Sequence, residues 1–97
     1  MRIRWTKGAE GNLDQIADYI DQDKPPAAVA TALKIIEAVQ MLADYPAIGR
    51  RGRERGTREL VVAGLPYIII YVVTGEELVI IRVLHAAMKY PGKLGRQ

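Results

Sequence analysis

Five arginines, Arg50, Arg51, Arg53, Arg55 and Arg58, fall within nine positions of this 97-residue chain, interleaved with Gly49, Gly52 and Gly56. Guanidinium groups on a flexible backbone make an anion-facing segment, able to contact several phosphates with a marked salt dependence. An acidic partner is implied, either nucleic acid or a carboxylate-rich protein segment, and a solvated loop with no partner is the alternative. No aromatic residue is interleaved, so the base stacking of single-strand binders is not supported. Further along, Arg82 interrupts a run of aliphatics and His85 closes that run, with Tyr90 nearby. Arg82 could contact an anionic ligand, and His85 could serve as a general acid or base. The structural alternatives are an Arg82 salt bridge to Glu59 or Glu54, and a His85 that only terminates a strand. An unpaired buried charge would be too costly to keep.

Other chemistries are excluded. The chain has no Cys, hence no disulfide, thiolate nucleophile or cysteine zinc site, and one His offers little to a metal. There is no phosphate-binding G-x-x-x-x-G-K-[ST] loop and no dinucleotide fingerprint. Neither metal nor cofactor is expected. The N-terminus lacks a signal-peptide core, and the uncharged runs read as too short for a membrane span, which predicts a cytoplasmic protein.

The elements that must position these residues read as a single α+β domain over residues 1–97. Arg2 to Trp5 alternates charge and apolar residue, as a short edge strand does. Thr6 offers an N-cap to a helix over Lys7–Gln22, whose stripe Ala9, Leu13, Ile16, Ala17 and Ile20 lies opposite a solvated acidic face. Pro25 and Pro26 open a second helix reaching about Asp44, with a broad apolar face of Ala28, Val29, Ala32, Ile35, Ile36, Val39, Leu42 and Ala43. Leu33 and Met41 project away from it, free to meet a partner or to sit singly on the surface. The two helices pack as an antiparallel hairpin, and Tyr45-Pro46 ends the second. Three Val-, Ile- and Tyr-rich runs follow, LVVA, YIIIYVV and ELVIIRVLH, separated by Gly64-Leu65-Pro66 and Thr74-Gly75-Glu76: an antiparallel meander. Parity sets Arg58 and Leu60 opposite Glu59 and Val61, and Leu78, Ile80, Arg82 and Leu84 opposite Val79, Ile81, Val83 and His85. Tyr67 to Val73 is apolar on both faces, which asks for cover on each, the helical hairpin on one and a partner on part of the other.

The segments LDQIADYI, LADYPAIGRRGR, RELVVAGLPYIIIYVV and LVIIRVLHAAMKYP, in this order and spacing, resemble the ParE branch of the RelE/ParE toxin superfamily over nearly the whole chain. The resemblance implies a β-α-α-β-β-β, microbial-RNase-like fold and the toxin of a type II toxin-antitoxin module of the plasmid-stabilisation type. Its implied antagonist is a ParD-like antitoxin of ribbon-helix-helix type that covers apolar surface, for which Leu33, Met41, Tyr67, Ile69 and Tyr71 are the expected contacts. RelE-like members cut mRNA on the ribosome, whereas ParE-like members poison DNA gyrase and are not known as nucleases. At the positions where RelE-like toxins carry catalytic arginines this chain has Ile68 and Met88, and its second strand offers only Arg58; both departures remove charge that would stabilise a phosphorane. Inhibition of gyrase by binding is therefore expected, through Arg50, Arg51, Arg53, Arg55 and Arg58 and the basic C-terminal residues Lys89 and Lys93. The alternative is a RelE-like endoribonuclease using Arg58, Arg82, His85 and Tyr90.

Overall fold

The computed structural model describes residues 1–87; Met88, Lys89, Tyr90 and Lys93 lie outside them. The elements are β1 (Arg2–Trp5), α1 (Lys7–Asp21), α2 (Pro25–Asp44), β2 (Arg50–Arg51), β3 (Arg58–Val61), β4 (Tyr67–Thr74) and β5 (Glu77–His85). They form one five-stranded sheet in the order β1-β5-β4-β3-β2 with the helical hairpin on one face, the α+β arrangement expected. Two features were not legible. β2 is a short fifth strand, antiparallel to β3, where the arginine stretch read as plain loop. β1 pairs with β5 in parallel, Ile3 opposite Leu78 and Trp5 opposite Ile80, because the chain departs through both helices before returning.

Helix α1 starts where Thr6 accepts the Ala9 N–H at 3.1 Å. The same hydroxyl donates to the Ile80 carbonyl at 2.9 Å, so a single residue caps the helix and anchors it to β5. In α2 the buried stripe is Ala28, Thr31, Ile35, Val39 and Leu42. Val29, assigned to that stripe by spacing, instead stands in solvent beside Leu33. By length and composition alone α2 could cross a membrane. Its apolar residues are divided instead between the stripe packed on the sheet and an exposed set comprising Val29, Leu33 and Met41.

Tyr67, Ile69 and Tyr71 of β4 face the helices and join Ala9, Ile35, Val39, Leu42, Val62, Leu78, Ile80 and Val83 in the core. On the helix-free face, Ile70 is nonetheless fully buried, flanked in register by Glu59 and Arg82. Cover for that second face is thus partly supplied within the chain, while Val61 on the same face stays exposed.

A β-bulge corrects the parity read for β5. Ile70 pairs with Arg82 but Tyr71 pairs with Ile80, leaving Ile81 as the extra residue. Leu78 and Ile80 therefore share the helix side with Val83 and His85, whereas Arg82 and Leu84 turn to the helix-free side with Val79. Without the bulge Arg82 would aim into the core. Asn12 of α1 steadies this irregular stretch, its side-chain carbonyl accepting the Val83 N–H at 3.1 Å.

Candidate functional site

The arginine segment is a built hairpin, held at its base by two side chains from neighbouring strands. The Tyr71 hydroxyl donates to the Pro46 carbonyl at 2.7 Å and accepts the Gly49 N–H at 2.9 Å. Arg58, opposite Tyr71 in register, donates from Nη1 to the carbonyls of Gly49 at 2.7 Å and Ala47 at 3.3 Å. Together they fix the chain leaving α2 against the sheet. Beyond them Arg50 and Arg51 pair with Glu59 and Arg58, and the Gly52 N–H donates to the Thr57 carbonyl at 2.8 Å. The Thr57 hydroxyl closes the tip on the Glu54 carbonyl at 2.7 Å, where Gly56 takes the positive φ of 82° that an L side chain resists.

Glu59 is the internal latch. Only 2% exposed, it accepts the Arg53 backbone N–H at 3.1 Å and Arg50 Nη2 at 3.2 Å. The Arg50 side chain is 62% exposed, so its ion pair is solvent-screened and contributes little; the part-buried bond to the Arg53 backbone, whose donor is fixed in place, is the stronger constraint. Residues 51–58 surround an open concavity of about 590 Å³. Arg51, Arg53 and Arg55 are exposed around it.

Among the described residues the RNA-cleaving constellation is not assembled. Arg58 lies at the β2 end of the helix side, and its Nη1 is occupied by two backbone carbonyls. His85 is on the same side opposite Tyr67, four residues further along β4, a separation of roughly 13 Å along the strand alone. Arg82 is on the other face. It makes neither expected bridge: Glu59 is engaged by Arg50 and Arg53, and Arg82 Nε is buried with no hydrogen-bond partner among the described residues. His85 packs edge-on against the Tyr67 ring, centroids 5.4 Å apart, and its Nδ1 accepts the Ala87 N–H at 3.0 Å. That bond ties the ring to its own turn, as a strand terminator does. Tyr90 is outside the described residues, as are Lys89 and Lys93. Among the described residues no group of three or more metal-ligating side chains is gathered.

The antitoxin contacts expected on β4 are corrected as well. Ile69 and Tyr71 are wholly inaccessible and Tyr67 nearly so, because α1 and α2 cover that face. Leu33 and Met41 are exposed, at 54% and 44%. Met41 borders an apolar groove between α2 and β3, with Ala38, Leu60 and Val61. The Tyr71–Gly49 contact has one signal in the sequence, a glycine three residues past Pro46, where backbone can approach another group closely.

Burial raises the Tyr71 pKa above its ordinary 10.0, outweighing the lowering by the Gly49 bond and the Arg58 charge. With the folded value above the unfolded one, Tyr71 contributes full stability below about pH 10, and this is lost as pH rises through the folded value, where only the unfolded chain has released the proton. Stability measured by urea unfolding from neutral pH to above pH 10 should therefore fall more steeply for the wild type than for Tyr71→Phe. Parallel profiles would refute it.

Comparison with known proteins converges on one family. The sequence model for the ParE toxin of the type II parDE toxin-antitoxin system matches residues 3–90. A Sinorhizobium fredii protein named as a toxin, Y4kP, is 48% identical over 90 residues, covering 93% of each chain. The toxin RelE2 of Caulobacter vibrioides is 42% identical over 86 residues, 89% of this chain and 96% of that one. Among solved structures, a chain of the chromosomal ParDE system of P. aeruginosa superposes with a TM-score of 0.80 at 28% identity, covering 88% of this chain and 95% of that chain. A chain of the RelBE2 toxin-antitoxin complex of Mycobacterium tuberculosis shares the fold, with a TM-score of 0.60 at 23% identity over 87% of this chain and 95% of that one.

Proposed function

The chain belongs to the ParE toxin family, and from that premise we propose that it inhibits DNA gyrase by binding and is held neutral in the cytoplasm by a ParD-like antitoxin. The observation that carries a binding mechanism is the dispersal of the general acid-base set. Arg58 is committed to backbone carbonyls, Arg82 lies on the opposite face and His85 is bonded to its own turn. No reacting phosphate could touch Arg58 and Arg82 together without the sheet between them.

The arginine hairpin is the part offered to the target. The antitoxin is assigned the exposed apolar side chains of α2, Leu33 and Met41, and the α2–β3 groove that Met41 borders. Because each is already about half covered, burying the remainder contributes about 1 kcal/mol apiece, so these side chains are part of a larger apolar contact.

A supercoiling assay with purified gyrase, relaxed plasmid and the folded chain tests this. Loss of supercoiling or trapped double-strand breaks, reversed by the antitoxin, is the expected result. Full supercoiling at saturating toxin, together with cleavage of mRNA on ribosomes, would transfer the assignment to the ribonuclease reading that the name of the RelE2 relative suggests.

A further inference from the structure

We propose that the hairpin of residues 50–58 is a grip for the phosphate backbone of duplex DNA, so that this toxin contacts the nucleic acid held by its target as well as protein. The inference rests on the gyrase reading for its setting. The segment RRGRERGTR contains Arg, Gly, Glu and Thr and no apolar or aromatic residue. Protein–protein contacts are anchored by Trp, Tyr and Arg in well-packed pockets, the arginines set among aromatic neighbours, and are otherwise depleted of charge at their centres. A phosphate backbone needs no such anchor, because guanidinium groups and released counterions supply the affinity. The hairpin has the second composition and lacks the first. An acidic protein segment would be left without an apolar anchor here.

The geometry agrees. The Glu59 carboxylate and the Gly52–Thr57 pairing hold the backbone internally, so the exposed side chains of Arg51 and Arg55 stand at the mouth of the concavity on an ordered support. Ordering the backbone beforehand removes an entropic cost from binding. With no aromatic platform in the segment, base stacking is not offered, and phosphate contacts, which carry no sequence information, supply the affinity. The acidic face of α1, with Asp14, Asp18 and Asp21, lies on a different element and would be repelled by DNA, which orients the molecule hairpin-first.

The test is fluorescence anisotropy of the full chain with a short labelled duplex of arbitrary sequence, titrated across salt concentrations. Two phosphate contacts from Arg51 and Arg55 contribute about −1.8 to the slope of log K against log salt, equivalent to roughly a 12-fold loss between about 50 and 200 mM. Arg51→Glu with Arg55→Glu is expected to weaken binding at low salt by about 10-fold or more and to flatten the slope by that amount. Arg51→Gln with Arg55→Gln provides the same test should the reversed charges disturb folding, which thermal unfolding reports. Lys7→Glu with Lys24→Glu, the same change in net charge at the helix starts, should leave the slope intact.

Equal weakening by both charge-reversed pairs would reduce the effect to net charge and overturn the proposal. So would binding of poly-glutamate as tight as that of DNA at equal charge. A double variant that loses DNA binding yet inhibits gyrase fully would overturn the grip while leaving the gyrase reading standing. Hairpin-dependent DNA binding by a chain that leaves gyrase untouched would do the reverse.

Discussion

Gly49→Ala is expected to destabilise the fold by about 3 kcal/mol, lowering Tm by roughly 12–24 °C in a chain of this size. A Cβ at this position would collide with the Tyr71 hydroxyl and come within 2.8 Å of its Cε1 and 2.9 Å of the Glu59 carbonyl oxygen. None of these neighbours can retreat. Tyr71 is wholly buried in the core, and the Glu59 carbonyl belongs to a strand paired on both sides. The hydrogen bonds that bring Gly49 so close would be stretched by any shift that relieved the contact. Tyr71→Phe alone is expected to cost about 1–3 kcal/mol by leaving the buried Gly49 N–H unpaired. The double variant should cost less than the sum, since removing the hydroxyl removes one of the collisions. Additive losses in urea unfolding would show that the two residues are not coupled and that the latch is not what makes position 49 intolerant.

The same latch shows where sequence reading stopped. The helices were legible because Thr6, Pro25 and Tyr45-Pro46 punctuate them and because Ile35, Val39 and Leu42 recur at helical spacing. Strands β3, β4 and β5 were legible as β-branched runs between glycine turns. Those are local signals. The parallel partnership of β1 with β5 was not, since it joins Trp5 to Ile80 across the whole chain and no local pattern encodes a partner's direction. Parity failed in β5 at Ile81, because a bulge changes no residue type and is visible only against the partner strand. That single extra residue sends Arg82 out of the core and onto the face opposite Arg58. Residues assigned to one catalytic group therefore end on different faces. On β4, the run apolar on both parities did report two covered faces, but not that Tyr67, Ile69 and Tyr71 were on the helix side. Arg58 illustrates a different limit: a cation in a basic segment reads as ligand-facing, yet in space it spends itself on the chain's own carbonyls.

Glu59→Ala is expected to cost about 2–3 kcal/mol and to loosen the hairpin before the rest of the domain. The carboxylate holds two groups of different kinds, and the two can be separated. Arg50 is mostly exposed and regains water when its partner is removed, so the loss there is small. The Arg53 N–H is fixed by backbone position and loses its acceptor, and the void left by a side chain only 2% exposed adds to the penalty. Glu59→Gln keeps a carbonyl oxygen for Arg53 while abolishing the charge, and should therefore lose only about 1 kcal/mol. Hydrogen exchange provides the local reading: the amides of Gly52 and Arg53 should lose protection in the alanine variant and largely keep it in the glutamine variant, while those of β4 and β5 stay protected in both. Equal losses in the two variants would make the ion pair, not the backbone bond, the latch. Because β2 pairs with the sheet over two residues only and the Tyr71 and Arg58 bonds hold just the base, an unlatched hairpin is ordered beyond them only by the Gly52–Thr57 and Thr57–Glu54 bonds. Glu59→Ala should then weaken DNA binding with every arginine still present, and retained affinity would mean that the grip needs the charges alone.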